Sequence, residues 1–236
     1  MLTSKYEFYN SDIIRKFYSN YKKENYLNQR NPRTGNILLK ETKMKIYKIG
    51  SDLSGSRSLG FSDETVMAHY LYAFKGKPIT DWDKPVEMFI TDLKDPIADF
   101  YYYYYGCLVF TPKVLDCMAD IFEMAGQILP VQVESGEELF ILNVTACCDS
   151  VDQKKTEWEY YPNGNRGRVK KYAFGDNFSK SSLFKIPENN FTSILTLTGA
   201  QDSSQEFISR YRQHNLTGLV FKELWASEDE PTLKLV

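Results

Sequence analysis

Apolar positions recur along this chain with two different periods, and the switches between them place the elements. MKIYKIG (44–50) alternates apolar and polar residues, the period of a half-buried strand, and KPVEMFITDL (84–93) reads as another. GCLVF (106–110) is an unbroken apolar run and a further strand. At Thr111 and Pro112 the period changes. Val114, Leu115, Met118, Ile121, Phe122 and Ala125 then fall on one face of a helix, with Pro112 harmless in the first turn and Gly126 as the stop. ILPVQV (128–133), the turn ESGEE and ELFILNVTACC (138–148) form a β-hairpin. Between these, SDLSGSRSLG (51–60) reads as loop, and FSDETVMAHYLYAF (61–74) as a helix or an irregular segment.

A second unit with the same rhythm closes the chain. FTSILTLT (191–198) is a strand, DSSQEFISRYRQHN (202–215) a helix opened by Asp202 or Ser203, and LTGLVFKEL (216–224) a returning strand. The stretch 152–182 carries the turn signal PNGN and a basic patch (Arg166, Arg168, Lys170, Lys171), and reads as a long hairpin or surface loop. The expected fold is α+β, a mixed or antiparallel sheet with helices packed mainly on one face and two strand–helix–strand units. It forms a single domain over 44–236. Residues 1–43 precede it as a basic extension: Ile14, Phe17, Tyr18 and Tyr21 fall near helical spacing behind a Ser11 or Asp12 cap, and NQRNPRTGN follows as a linker.

Charge sharpens this division. The net charge is only −2, but residues 1–48 hold eleven Lys/Arg against four Asp/Glu, so a basic segment precedes an acidic body. Such a segment either folds back on its own body or reaches for an anionic partner. Aromatic residues make up 15% of the chain, chiefly 17 Tyr and 15 Phe, which favours strands and binding surfaces. No stretch has the length of a transmembrane helix and the first residues have no apolar signal core, so a cytoplasmic location is expected. Cys107, Cys117, Cys147 and Cys148 form no C-x-x-C pair and read as reduced, mostly buried thiols.

The chain is poor in motifs that carry chemistry. Two histidines, His69 and His214, stand 145 positions apart, and no thiol or carboxylate joins them at ligand spacing, so no metal is expected. Nucleotide-binding and hydrolase motifs are missing, and no cofactor is expected. Asp149 and Asp152 in CCDSVDQKK could act as an acid–base pair, with turn and cap chemistry as the plainer alternative. The basic clusters at 15–33 and 166–171 are interleaved with aromatics, as in single-strand nucleic-acid binders, yet the acidic body and the lack of a recognised module disfavour that partner. Glu134, Glu137 and Glu138 crowd a hairpin tip and could steer a basic protein. In the tyrosine run 101–105, strand alternation sends Tyr101, Tyr103 and Tyr105 to one face and Tyr102 and Tyr104 to the other. One set packs inward and the exposed one is a candidate anchor for a protein partner.

From about residue 96 to 224 the chain resembles the bacterial polymorphic-toxin immunity family eleven. The resemblance rests on ADF leading into CLVFTPKVLDCM, then ILPV, LFILNVTACCDSVDQKKTEW, LFKI and the closing NLTGLVFKELW. It implies a cytoplasmic, non-enzymatic protein that binds and neutralises a cognate toxin domain, with no catalytic residues. Residues 1–43 are outside the resemblance. The expected partner-binding residues are Tyr101, Tyr103, Tyr105, Glu134, Glu137, Glu138, Asp149 and Asp152. The alternatives are an enzyme that reverses a toxin's modification through Asp149 and Asp152, and nucleic-acid binding through the basic N-terminal segment.

Overall fold

Continuous apolar runs such as CLVF and LFILNV need cover on both faces, and the fold provides it. The computed structural model describes residues 43–227 except 53–56, 71–72, 83–85, 92, 102–105 and 201; the basic segment 1–42, Tyr103 and Tyr105 thus lie outside the described residues. The elements in order are β1 (Lys45–Ser51), β2 (Ser58–Phe61), α1 (Glu64–Tyr70), β3 (Val86–Thr91), β4 (Phe100–Tyr101), β5 (Cys107–Phe110), α2 (Pro112–Ala125), β6 (Gly126–Val133) and β7 (Glu138–Val144). Then follow β8 (Glu157–Tyr160), β9 (Arg166–Lys171), β10 (Leu183–Phe184), β11 (Leu195–Thr198), α3 (Phe207–Gln213) and β12 (Leu219–Ala226). The architecture is mixed α/β, rich in strands, with few helices among the described residues.

A six-stranded sheet has the order β2-β3-β6-β7-β5-β4, and a four-stranded one β10-β11-β1-β12. The first is mixed, because β3 and β6 run parallel and its other neighbours antiparallel. The strands β8 and β9 form a separate two-stranded ribbon. Two expectations change here. Residues 58–60 are strand rather than loop, and Phe61 completes that strand rather than opening the next segment, because Leu59 and Phe61 alternate into the core and pair with β3. Asp202 does cap, accepting from Ser204 N–H at 2.8 Å, but only a 3-10 turn follows. At Glu206 the backbone is extended, its buried carboxylate accepts from Gly199 N–H and the Ser209 hydroxyl, and the α-helix starts at Phe207.

On one face of the large sheet, Phe100, Leu108, Phe110, Phe140 and Leu142 pack on the apolar side of α2 and on Phe207 and Tyr211 of α3. Its other face packs Tyr101, Val109, Leu129 and Ile141 against Tyr70 of α1 and the segment 74–82. A third cluster, with Ile46, Phe184, Leu195 and Leu197, lies on the smaller sheet. Gly126 ends α2 as expected, but not through the left-handed cap usual for glycine. Its φ of 168° is extended, and a Cβ there would lie 2.0 Å from the Asn143 carbonyl oxygen, so β7's close approach excludes a side chain.

Asp99 joins the two halves of the main core. Its carboxylate accepts from Thr217 N–H at 2.9 Å and the Thr217 hydroxyl at 3.0 Å, and pairs with Lys113 Nζ at 2.8 Å. Asp99→Ala removes the charged acceptor of both Thr217 bonds and the partner of Lys113. The expected loss is about 1.5–3 kcal/mol in urea unfolding, the usual worth of hydrogen bonds to a charged group; an unchanged midpoint would remove this clasp from the stabilising set.

Candidate functional site

At the distal end of β6 and β7, Gln132 pairs with Glu138, and the intervening turn needs Gly136 at φ 81°. Gly136 N–H closes the turn on the Val133 carbonyl at 2.8 Å. This geometry gathers Glu134, Glu137 and Glu138 at one corner of the sheet. Glu134 is held by the Ser62 hydroxyl, which donates to Oε1 at 2.7 Å. Tyr101 donates its hydroxyl to Glu137 Oε2 at 3.2 Å, and Arg57 Nη1 lies 3.6 Å from Oε1. Glu138 is exposed and has no ionic partner among the described residues.

Arg57 is the clasp of this corner. Besides meeting Glu137 it donates to the carbonyls of Asp95 at 3.1 Å and Leu93 at 3.2 Å, fixing the turn after β3 against the hairpin tip. That turn leaves Leu93 and Ile97 exposed at 63% and 67%. Along the hairpin an open cavity of about 420 Å³ is lined mostly by apolar surface of Pro130, Val131, Val133, Leu139 and Phe140, whose side chains are otherwise largely buried, together with the three glutamates. Tyr101 itself is 4% exposed, so it anchors the corner from within the core rather than offering a ring to a partner. Burial, and then the Glu137 charge, pushes its phenol up to about 12.

The structure does not bring Asp149 and Asp152 to this corner. Asp149 is exposed, and its backbone carbonyl accepts from Asn177 Nδ2 at 3.5 Å. Asp152 does turn chemistry: Oδ1 accepts from the N–H groups of Lys154 at 2.9 Å and Lys155 at 3.2 Å. Glu157 pairs with Lys171 at 3.8 Å. Among the described residues no group of three or more His, Cys, Asp or Glu is placed to hold a metal ion. All four cysteines are free thiols. Cys107 is buried and Cys117 and Cys148 are partly so, but Cys147 is exposed, because the strand stops at Val144 and Cys147 makes only an isolated bridge to Lys185.

Lys185 is the residue that pattern reading missed. It sits in the apolar run SSLFKIP, which is the one signal that could have flagged it. Its side chain is fully buried, and Nζ donates to the Phe74 carbonyl at 2.7 Å. Burial pulls the ammonium down to about 8 from 10.5, with the Cys107 and Cys147 thiols offsetting a little. Other sheet side chains hold the same segment, Asn143 donating to the Lys77 carbonyl at 2.9 Å and Gln127 bonding both the N–H and the carbonyl of Ile79. The arrangement pins residues 74–79 over the sheet.

The ribbon presents the opposite charge to the corner. Between 152 and 171 there are six Lys/Arg against three Asp/Glu. Arg166 stacks 4.8 Å over the Trp158 ring, Arg168 meets Glu159 at 2.6 Å, and Tyr160 and Tyr161 stand out at 63% and 60% exposure. Comparison with models of known protein families and with curated protein sequences finds no match. Among the described residues no helix is long and apolar enough to cross a membrane.

Proposed function

We propose that this chain is a cytoplasmic immunity protein: a non-enzymatic inhibitor, needing no cofactor or metal, that binds a cognate toxin domain and covers its active site. The resemblance over residues 96–224 suggests the class. The observation that carries the reading is the Arg57-clasped corner, where three carboxylates rim an open apolar cleft. Glu134 and Glu137 are already held by protein donors, so a basic partner meets preorganised charges and the binding cost of ordering them falls. Leu93 and Ile97 beside them supply apolar area that water would otherwise wet. In the finer fold this reading implies, β5-α2-β6 and β11-α3-β12 are the two strand–helix–strand units, with the helices mainly on one face of the sheet.

The test is co-expression with the product of the neighbouring gene, followed by co-purification and a growth assay. Wild type forms a complex and protects. Glu134→Lys with Glu138→Lys, which leaves the Arg57–Glu137–Tyr101 contacts intact, should weaken the complex at least about tenfold, mostly by slowing association at low salt. No complex, or a charge-reversed variant that binds as wild type does, rejects the reading. Asp149→Asn with Asp152→Asn keeps protection under this proposal; loss of protection with an intact fold would turn the assignment to an enzyme.

A further inference from the structure

The corner is an apolar cleft of about 420 Å³ with an acidic rim, and it calls for an occupant with an apolar or aromatic knob flanked by cations. The chain carries such a knob. Tyr160 and Tyr161 are adjacent exposed large hydrophobic side chains, at 63% and 60%. They stand at the turn end of β8, where β9 sets Arg166 opposite Tyr160 and Arg168 two positions on in the same strand, while Lys170 and Lys171 extend the basic edge toward the other end of the ribbon. Tyr–Arg clusters of this composition are what interface hot spots are made of. Among the described residues the β8–β9 pair is joined in register to no other strand, so its edges are free of strand partners.

We infer that the Tyr160–Tyr161 ribbon of one copy seats in the Glu134–Glu138 cleft of a second copy, a head-to-tail contact between two copies of this chain. The inference uses the same corner as the reading above and adds its regulation: free protein associates through the cleft, and a tighter partner displaces the ribbon. Charge complementarity selects this occupant. Glu138 and the outer oxygen of Glu134 meet Arg168, Lys170 and Lys171, while Arg57 already neutralises part of Glu137. Two of the ribbon's cations exchange partners on contact, because Arg168 leaves Glu159 and Lys171 leaves Glu157, both solvent-exposed pairs of little intrinsic worth. The contact is heterologous, with different surfaces on the two copies, so it favours short chains or rings over a symmetric dimer. A hairpin-on-hairpin contact is at the small end of specific interfaces, and its association is therefore weak and transient.

Sedimentation velocity on the purified full chain, from about 10 μM to about 1 mM, tests it. Wild type should show a sedimentation coefficient that rises with concentration and falls back when salt goes from about 50 to about 500 mM. Arg168→Glu with Lys170→Glu, and separately Glu134→Lys with Glu138→Lys, should each remain monomeric across the range. An equimolar mixture of the two variants places a native ribbon against a native corner, and a reversed one against a reversed corner, so association should return. Tyr160→Ser with Tyr161→Ser, two exposed positions that the core does not use, should reduce association at least tenfold with an unchanged circular dichroism spectrum. A wild type that stays monomeric at the highest concentration, variants that associate as wild type does, or a mixture that stays monomeric each overturns the inference. The experiment contains no partner, so its failure leaves the proposed inhibitor function standing, and failure of the partner test leaves this one intact.

Discussion

Phe110→Ala is expected to destabilise the protein by about 3–5 kcal/mol, the usual cost of emptying a buried aromatic site. Phe110 has no exposed surface, and its ring lies 4.7 Å from Phe122, 5.9 Å from Phe140 and 6.2 Å from Phe100, centroid to centroid. These neighbours belong to α2, β7 and β4, so one ring ties a helix to two strands, and β4 is only two residues long. Each well-oriented aromatic pair adds about 0.5–1.5 kcal/mol beyond the area it buries. Against a typical total of about 5–15 kcal/mol, that loss takes a large share of the stability. Urea unfolding should show a lower midpoint with an unchanged slope, and a loss below about 1 kcal/mol would mean that α2 and β7 close over the gap.

The second large effect concerns Lys185 and depends on pH. In the folded chain burial holds its ammonium near 8, whereas the unfolded chain keeps the ordinary value of 10.5. Between these two values the unfolded state binds the proton and the folded state does not, so raising the pH favours folding. Below pH 8 both states carry the charge, and the folded one bears the full cost of keeping it out of water. The gain from pH 8 to pH 10.5 should reach about 3 kcal/mol, at 1.36 kcal/mol per pH unit. Lys185→Met removes the charge and keeps the bulk, at the cost of the bond to the Phe74 carbonyl. The variant should therefore be at least as stable as wild type at pH 7, and that advantage should vanish or reverse near pH 10.5. Tyr101 acts in the opposite direction: its folded value of about 12 is above the ordinary 10, so its contribution is present below pH 10 and lost as pH rises through 12. It is common to both proteins, so the difference between them isolates Lys185. Parallel stability curves from pH 7 to 10.5 would show that the amine is not buried as described.

Local pattern carried a good deal of the fold. The amphipathic face of α2, the hairpin of β6 and β7 and the glutamates at its tip follow from spacing alone, because periodicity states which side of an element avoids water. The PNGN turn likewise marked the β8–β9 ribbon, where the Tyr161 carbonyl accepts from Gly164 N–H at 2.9 Å. Elements ended earlier or later than their apolar runs wherever a tertiary partner intervened. The second strand of the hairpin stops at Val144 rather than Cys148, and the last helix starts at Phe207 because buried Glu206 interrupts it.

The sequence by itself determined the longer periodic elements, where the core side of α2 lies, and that the hairpin tip is acidic. Each of these is set by neighbours within about ten residues, through sterics and burial of one face. Only the tertiary structure decided what those elements meet. It placed β1 between β11 and β12, whose paired residues are 147–153 and 168–181 positions away. It turned Tyr101 inward, exposed Cys147, ran Lys185 under the Phe74 carbonyl and brought Arg57 across the chain to clasp Glu137. The physical reason is that a strand's period names its buried face and not its partner, and a polar side chain's partner is chosen by packing from far along the chain.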